Sequence, residues 1–173
     1  MSNVNVIPTQ LGLANVSKEM LSDVGMSLDI AQKVFSPVVV DFSSINLPAG
    51  ECLLIANVNP KAKLYDVKVA FEALGANTAL SIGVASINFS RVDTIPNVDG
   101  KYVVDSSLIQ SDVLASSFAT TSALDIAASK VKMSGVGYVF GSNGNNKFIV
   151  IKNTGSANIT SGKFLIKIET FIS

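Results

Sequence analysis

Two carboxylates six residues apart, Asp66 and Glu72, are the first residues whose type and spacing suggest chemistry. A glycosidase needs such a pair flanking one bond, one as acid and one as base or nucleophile. Both lie on the same side of an extended segment, where a rise of ~3.3 Å per residue separates them by about 20 Å. That is too far to act on one bond, and solvent-facing charge is the better reading of both. Asp93, Asn97, Asp99 and Gly100 share a loop and could offer oxygens to calcium, but the regular aspartate spacing of an EF-hand is missing. Their composition is that of an ordinary turn. Glycines 135, 137 and 141 fall one residue out of step with a dinucleotide fingerprint, and no helix follows them.

The chain has no histidine and one cysteine, Cys52. Without histidine there is no Ser-His-Asp or Cys-His arrangement, and the commonest metal ligand is missing. One cysteine excludes an intramolecular disulfide and a thiolate zinc site built by a single chain. Cys52 heads the run Cys52-Leu-Leu-Ile55 and reads as a small buried hydrophobe rather than a nucleophile. The three tyrosines, Tyr65, Tyr102 and Tyr138, could stack on a sugar if they lay on a surface, and the alternation around Tyr65 points that ring inward. Asn15, Asn88 and Asn158 match a glycosylation triplet. No basic segment followed by an apolar run marks a secretory signal, so these triplets read as chance. No catalytic residue, cofactor or metal is assigned, and the chain is not expected to be an enzyme.

Of the 173 residues 48% are hydrophobic and 15% charged, and 13 basic residues balance 13 acidic ones. The length suits one domain with a substantial core. The even balance leaves no basic footprint for nucleic acid. No stretch is long and apolar enough to cross a bilayer as a helix. Low charge fits either a large core or a surface covered by other protein.

The elements that must position these residues are strands. Residues 63–85 carry the clearest pattern: Tyr65, Val67, Val69, Phe71 and Ala73 on one face, with Leu64, Asp66, Lys68, Ala70 and Glu72 on the other. Residues 74–78 turn the chain, with Gly75 and Asn77 suited to positive φ, and Leu80, Ile82 and Val84 resume the alternation. This is the reading of a hairpin that needs further sheet to cover it. Residues 37–42, 52–58, 87–92, 101–104, 135–141, 148–151 and 163–171 read as further strands. Residues 148–151 are apolar on both faces, which fits cover on both sides. In the last strand Phe164, Ile166 and Ile168 point inward. Residues 105–132 support a helical spacing and a strand face equally.

Residues 1–36 form an N-terminal arm containing Pro8. A short helix is allowed over residues 15–34, with Ser17 as cap and Met20, Leu21, Val24, Leu28 and Ala31 on one face, although Gly25 costs it about 1 kcal/mol. Such an arm gains most by ordering against a neighbour, a sister chain or a capsid, and an intramolecular cap is the alternative. Residues 37–173 make the folded domain. Eight to ten short strands separated by turn residues define an all-β chain, a jelly-roll-like β-sandwich.

Several strings resemble the virion proteins of tailed bacteriophages: Leu47-Pro-Ala-Gly50, Tyr65-Asp-Val-Lys-Val-Ala-Phe-Glu-Ala73, Ala79-Leu-Ser-Ile-Gly-Val-Ala85, Tyr138-Val-Phe-Gly141, Lys147-Phe-Ile-Val-Ile151 and Ser161-Gly-Lys-Phe-Leu-Ile-Lys-Ile-Glu-Thr170. The likeness covers residues 37–92 and 134–173 and is one of strands and turns. It implies a head decoration (cement) protein of the jelly-roll type, made in the host cytoplasm and located on the capsid surface of the virion. Its implied partners are the major capsid protein and itself, as a trimer, with neither nucleic acid nor membrane. A head-fibre or tail adhesin binding host-surface glycan is the alternative, with exposed aromatics carrying the contact.

Overall fold

The computed structural model describes residues 2–6, 32–34, 37–88, 94–96, 102–129, 137–141 and 145–172. Among them, twelve strands run in the order β1 (Ser2–Val6), β2 (Gln32–Val34), β3 (Val38–Asp41), β4 (Cys52–Val58), β5 (Ala62–Phe71), β6 (Ala79–Ile87), β7 (Thr94–Pro96), β8 (Tyr102–Val104), β9 (Ile109–Ala119), β10 (Leu124–Ser129), β11 (Asn146–Asn153) and β12 (Lys163–Ile172). One sheet has the order β7-β8-β1-β4-β11-β6-β9, and the other β10-β5-β12-β2, with β3 also paired to β12.

Eight of these strands form two facing four-stranded sheets, β3-β12-β5-β10 and β4-β11-β6-β9. From β3 to β6 the chain changes sheet at every step, and it does so again from β9 to β12. That winding is a jelly roll, and the chain is an all-β sandwich of this type. β1 pairs parallel to β4 and antiparallel to β8, which widens the larger sheet.

Residues 63–85 are therefore not a hairpin. β5 lies between β10 and β12, whereas β6 lies between β11 and β9 in the opposite sheet. Residues 72–78 are the corner between them. Leu74 is buried at the bend, and its N–H donates to Thr120 O at 2.9 Å. The physical reason is burial: splitting the two strands between sheets lets their apolar faces cover each other. The expected turn chemistry holds, with Gly75 at φ 120° and Asn77 at φ 59°.

A core between the sheets joins Val67, Val69 and Phe71 of β5 and Phe164, Ile166 and Ile168 of β12 to Leu80, Ile82 and Val84 of β6 and Ile149 and Ile151 of β11. Phe71 stacks on both Phe118 and Phe164, with ring centroids 6.0 Å apart in each case. A second core lies on the outer face of the larger sheet. It contains Cys52, Leu54, Ala85, Ile87, Phe148 and Val150, and is joined by Val104 with Leu108 and Ile109 packed against it. This explains the two-sided apolar run at residues 148–151: the strand is covered on both faces by its own chain.

The alternation of β5 slips once. Leu64 is fully buried and Tyr65 is 53% exposed, the reverse of the expected assignment. β12 pairs Glu169 with Asp66 and then Thr170 with Leu64, so Tyr65 is an extra residue with no direct partner. A β-bulge of this kind inverts the inward phase of every residue before it.

Residues 105–132, which gave no single reading, contain a 3-10 turn (Ser106–Leu108), β9 and β10. β9 pairs with β6 through two irregularities, which is why its apolar residues follow no clean period. In the arm, Ser2–Val6 and Gln32–Val34 are strands paired within the chain, to β4 and β8 and to β12 respectively. The helix reading over residues 15–34 fails at its end, where Gln32–Val34 is extended and paired to β12; residues 15–31 lie outside the described residues.

Candidate functional site

The two ends of the sandwich differ, and the candidate site lies at the end where β6 finishes and β9 and β11 begin. Lys147 is placed by β11 on the same face as Ile149 and Ile151, directed between the sheets. Its direct cross-strand neighbour is Ser86 of β6, and Val84 on the same face pairs with Gln110 of β9. From the facing side comes the segment 137–141. Its Gly137 N–H donates to Leu64 O at 2.8 Å, and Leu64 N–H donates to Tyr138 O at 2.9 Å. This docks the segment on the bulged start of β5, turns Phe140 into the core and leaves Val139 outside at 53% exposure. Tyr138 meets Phe140 edge-on at 5.4 Å, and its hydroxyl donates to Gln110 Oε1 at 3.2 Å, spanning the gap between the sheets.

These side chains, with Ser107 and Leu108 of the 3-10 turn, line a cavity of about 150 Å³. Asp105 shapes that turn by accepting from Ser107 N–H at 2.9 Å, and the bonds from Ser107 hold its carboxyl below the usual range. Lys147 is 9% exposed, and its ammonium donates to Ser86 Oγ at 2.8 Å. Burial lowers its pKa, and among the described residues no carboxylate forms an ion pair with it. Burial likewise raises the Tyr138 hydroxyl.

The residues singled out in the sequence fall elsewhere. Cys52 is buried in the second core, which pushes its thiol up to about 11 and leaves it inert as a nucleophile. Asp66 and Glu72 stay apart. Glu72 is exposed and its Oε2 accepts from Lys163 N–H at 2.8 Å. Asp66 lies on the face opposite the core, as expected, with Lys68, although its side chain is only 15% exposed, 3.7 Å from Lys68 Nζ. Opposite it, Glu169 pairs with Lys167 at 3.1 Å and Lys68 at 3.2 Å. The hydrogen bonds from Lys167 and Lys68 hold the Glu169 carboxyl below its usual range, so this cluster has a structural role and no raised carboxylic acid in Glu169.

Tyr65 does not point to the core; the bulge turns it outward. Asp93, Asn97, Asp99 and Gly100 lie outside the described residues, as does Asn15. Asn158 Oδ1 accepts from Ala49 N–H at 3.1 Å. Among the described residues no three His, Cys, Asp or Glu side chains converge as a metal site, and no helix is long and apolar enough to cross a membrane.

Sequence reasoning passed over Lys147, Ser86, Ser107 and Gln110. The available signal was the lysine at the head of the run Lys147-Phe-Ile-Val-Ile151, which shares the period-two face of two core isoleucines.

No family model matches the chain, and no curated protein does. Among solved structures, the chain is similar to one in "Capsid of Ralstonia phage GP4", with a TM-score of 0.59 and 9% identity over 83% of this chain and 85% of that one. It also aligns with a chain of "Cyanophage Pam1 capsid asymmetric unit", at a TM-score of 0.44 and 14% identity over 84% and 89% of the two chains. The first likeness is one of fold; the second is too distant to add to it.

Proposed function

We propose that this chain is a structural protein of a bacteriophage virion, without enzymatic activity, acting as a decoration (cement) protein on the outside of the shell. The observation that carries the reading is the jelly roll itself. Its strand winding is legible from residue 38 to residue 172, and over most of that length the same fold occurs in a chain of a phage capsid structure. The proposed partners are the major capsid protein and further copies of this chain, at the capsid surface of particles made in the host cytoplasm.

A trimer is part of the proposal but has lost one support. The apolar run at residues 148–151 is buried by Val104, Leu108 and Ile109 of the same chain, so it offers no free face to a sister subunit. The double core accounts equally well for the low charge. The glycan reading gains one observation, the exposed ring of Tyr65. A single ring is a weak stacking platform, and we favour the shell.

Purified protein mixed with shells that lack it should cosediment with them. Electron microscopy of the complex should place it at fixed positions on the outer surface. Failure to cosediment, together with retention on immobilised host-surface glycans, would replace this reading with the adhesin.

A further inference from the structure

We propose that the cavity at the end of the sandwich is a carboxylate-binding site, with the Lys147 ammonium as its cation and the Ser107 hydroxyl and the Gln110 amide as supporting donors. The inference is independent of the shell-binding reading, because it rests on one cavity and not on where the protein resides.

Lysine is rarely buried without a partner. Lys147 is 9% exposed, yet of the three donors on its ammonium one is used by Ser86 Oγ, and no carboxylate among the described residues pairs with it. The core gains nothing from this charge. A methionine would fill the same stem without the desolvation cost that lowers the lysine pKa. The remaining lining is a surplus of donors. Gln110 Oε1 is occupied by the Tyr138 hydroxyl, which leaves its NH₂ as the unused end of the amide. Ser107 brings a hydroxyl, and Ser86 Oγ holds the ammonium in place. A carboxylate is the complement of such a set: acceptor-only, planar, singly charged, with about four lone-pair sites. One lysine with no arginine fits a monoanion better than phosphate, which is recognised by forks of arginine or by nests of backbone N–H. The volume of about 150 Å³ is several times the ~30 Å³ of a water and admits a carboxylate on a short stem. The ligand is either a free organic acid or the carboxylate of another protein chain reaching into the cavity.

The test uses the full chain, melted in acetate, succinate, a capped peptide carrying one glutamate, or chloride at matched ionic strength. At ten times the dissociation constant, a carboxylate should raise the melting temperature by about 3 to 6 °C over chloride, and the shift should keep growing with the logarithm of its concentration. Stronger binding of acetate or succinate assigns the site to a free acid, and stronger binding of the peptide assigns it to a protein carboxylate. Lys147→Met should melt at or above the wild-type temperature in chloride and lose the carboxylate response. Gln110→Glu, which supplies a carboxylate from the chain itself, should raise the melting temperature in chloride and weaken acetate binding. The proposal is overturned by an absent carboxylate response, by an equal response in Lys147→Met, or by a response to phosphate but not to carboxylate. It is also overturned if Lys147→Met unfolds while Gln110→Glu leaves the chloride melting temperature unchanged, since the lysine would then be a structural element.

Discussion

The two ends of the sandwich are built from the same strands and handle buried polar groups in opposite ways. At the end where β5, β9 and β11 finish, Asn153 is fully buried and fully used. Its Nδ2 donates to Leu47 O at 3.0 Å and Ala157 O at 2.8 Å, and its Oδ1 accepts from Gly155 N–H at 3.0 Å. Beside it, Thr120 Oγ1 donates to Thr78 Oγ1 at 2.9 Å, and Thr78 Oγ1 donates to Gly75 O at 2.7 Å. At the opposite end Lys147 has one hydroxyl, Asn57 Oδ1 is buried with no hydrogen-bond partner among the described residues, and a cavity remains. A satisfied polar network rigidifies the end it closes, whereas a half-satisfied one lowers stability. Stability is given up in this way where a group is kept for something other than folding. The contrast teaches where to look: the closed end specifies the fold, and the open end is where binding is to be sought.

The sharpest way to break this contrast is Gly155→Ala. A Cβ at residue 155 would lie 2.3 Å from Asn77 O and 2.8 Å from Ala79 N, both backbone atoms that cannot swing aside. The loop carrying Asn77 must shift and release the bonds it receives from Ser156 and Ala157. The expected loss is about 3 kcal/mol, measured by denaturant melting. A variant as stable as the wild type would mean that the two loops do not pack as described. Asn153→Ala comes next, at about 2 kcal/mol, because it removes three hydrogen bonds from a fully buried side chain, while Leu47 O keeps its bond from Ile159 N–H and Gly155 N–H keeps Ala79 O. Gly137→Ala, at the open end, removes only conformational freedom. Its φ of 78° disfavours a side chain, but no atom lies within 4 Å of the added Cβ, so about 1 kcal/mol is expected. If the order of Asn153→Ala and Gly137→Ala is reversed, the open end is the more tightly built of the two.

What could be read in the sequence follows the same division. Local rules worked where the chain is locally regular: Gly75 and Asn77 take the positive φ expected of the bend, and Phe164, Ile166 and Ile168 point inward on an unbroken strand. Cys52 reads as buried and is buried. Strand partners were not legible, because period-two alternation states which face is buried and not which strand lies alongside. Alternation alone makes residues 63–85 one hairpin, whereas they span both sheets. β9 was unreadable because its register against β6 shifts twice, and Gly83 marks the place: a Cβ there would lie 1.9 Å from Gln110 O. The lysine at the cavity was overlooked because charge at a strand end normally signals solvent, and only the third dimension shows Lys147 beneath Tyr138 and the 3-10 turn.

The smallest expected effect tests the feature on which the open end is assembled. The unbroken alternation of residues 63–73 would put Tyr65 in the core. Removing a core aromatic side chain leaves a cavity and costs about 3 to 5 kcal/mol. The bulge opposite Glu169 and Thr170 reverses this, placing Leu64 inside and Tyr65 outside at 53% exposure. With the strand so turned, the N–H and C=O of Leu64 are presented sideways to the segment 137–141, which accepts and donates in return. The bulge thereby docks the segment that carries Tyr138 over the cavity, and Tyr65 is the residue displaced to allow it. Tyr65→Ala should then change stability by no more than about 0.5 kcal/mol, as exposed substitutions do. The Tyr138 to Gln110 bond should persist in it, seen as an unchanged ring environment of Tyr138 by NMR. A loss of several kcal/mol would place the ring in the core and remove the bulge. Unchanged stability with a disturbed Tyr138 ring would mean that the bulge depends on Tyr65 itself rather than on the backbone pairing of Leu64.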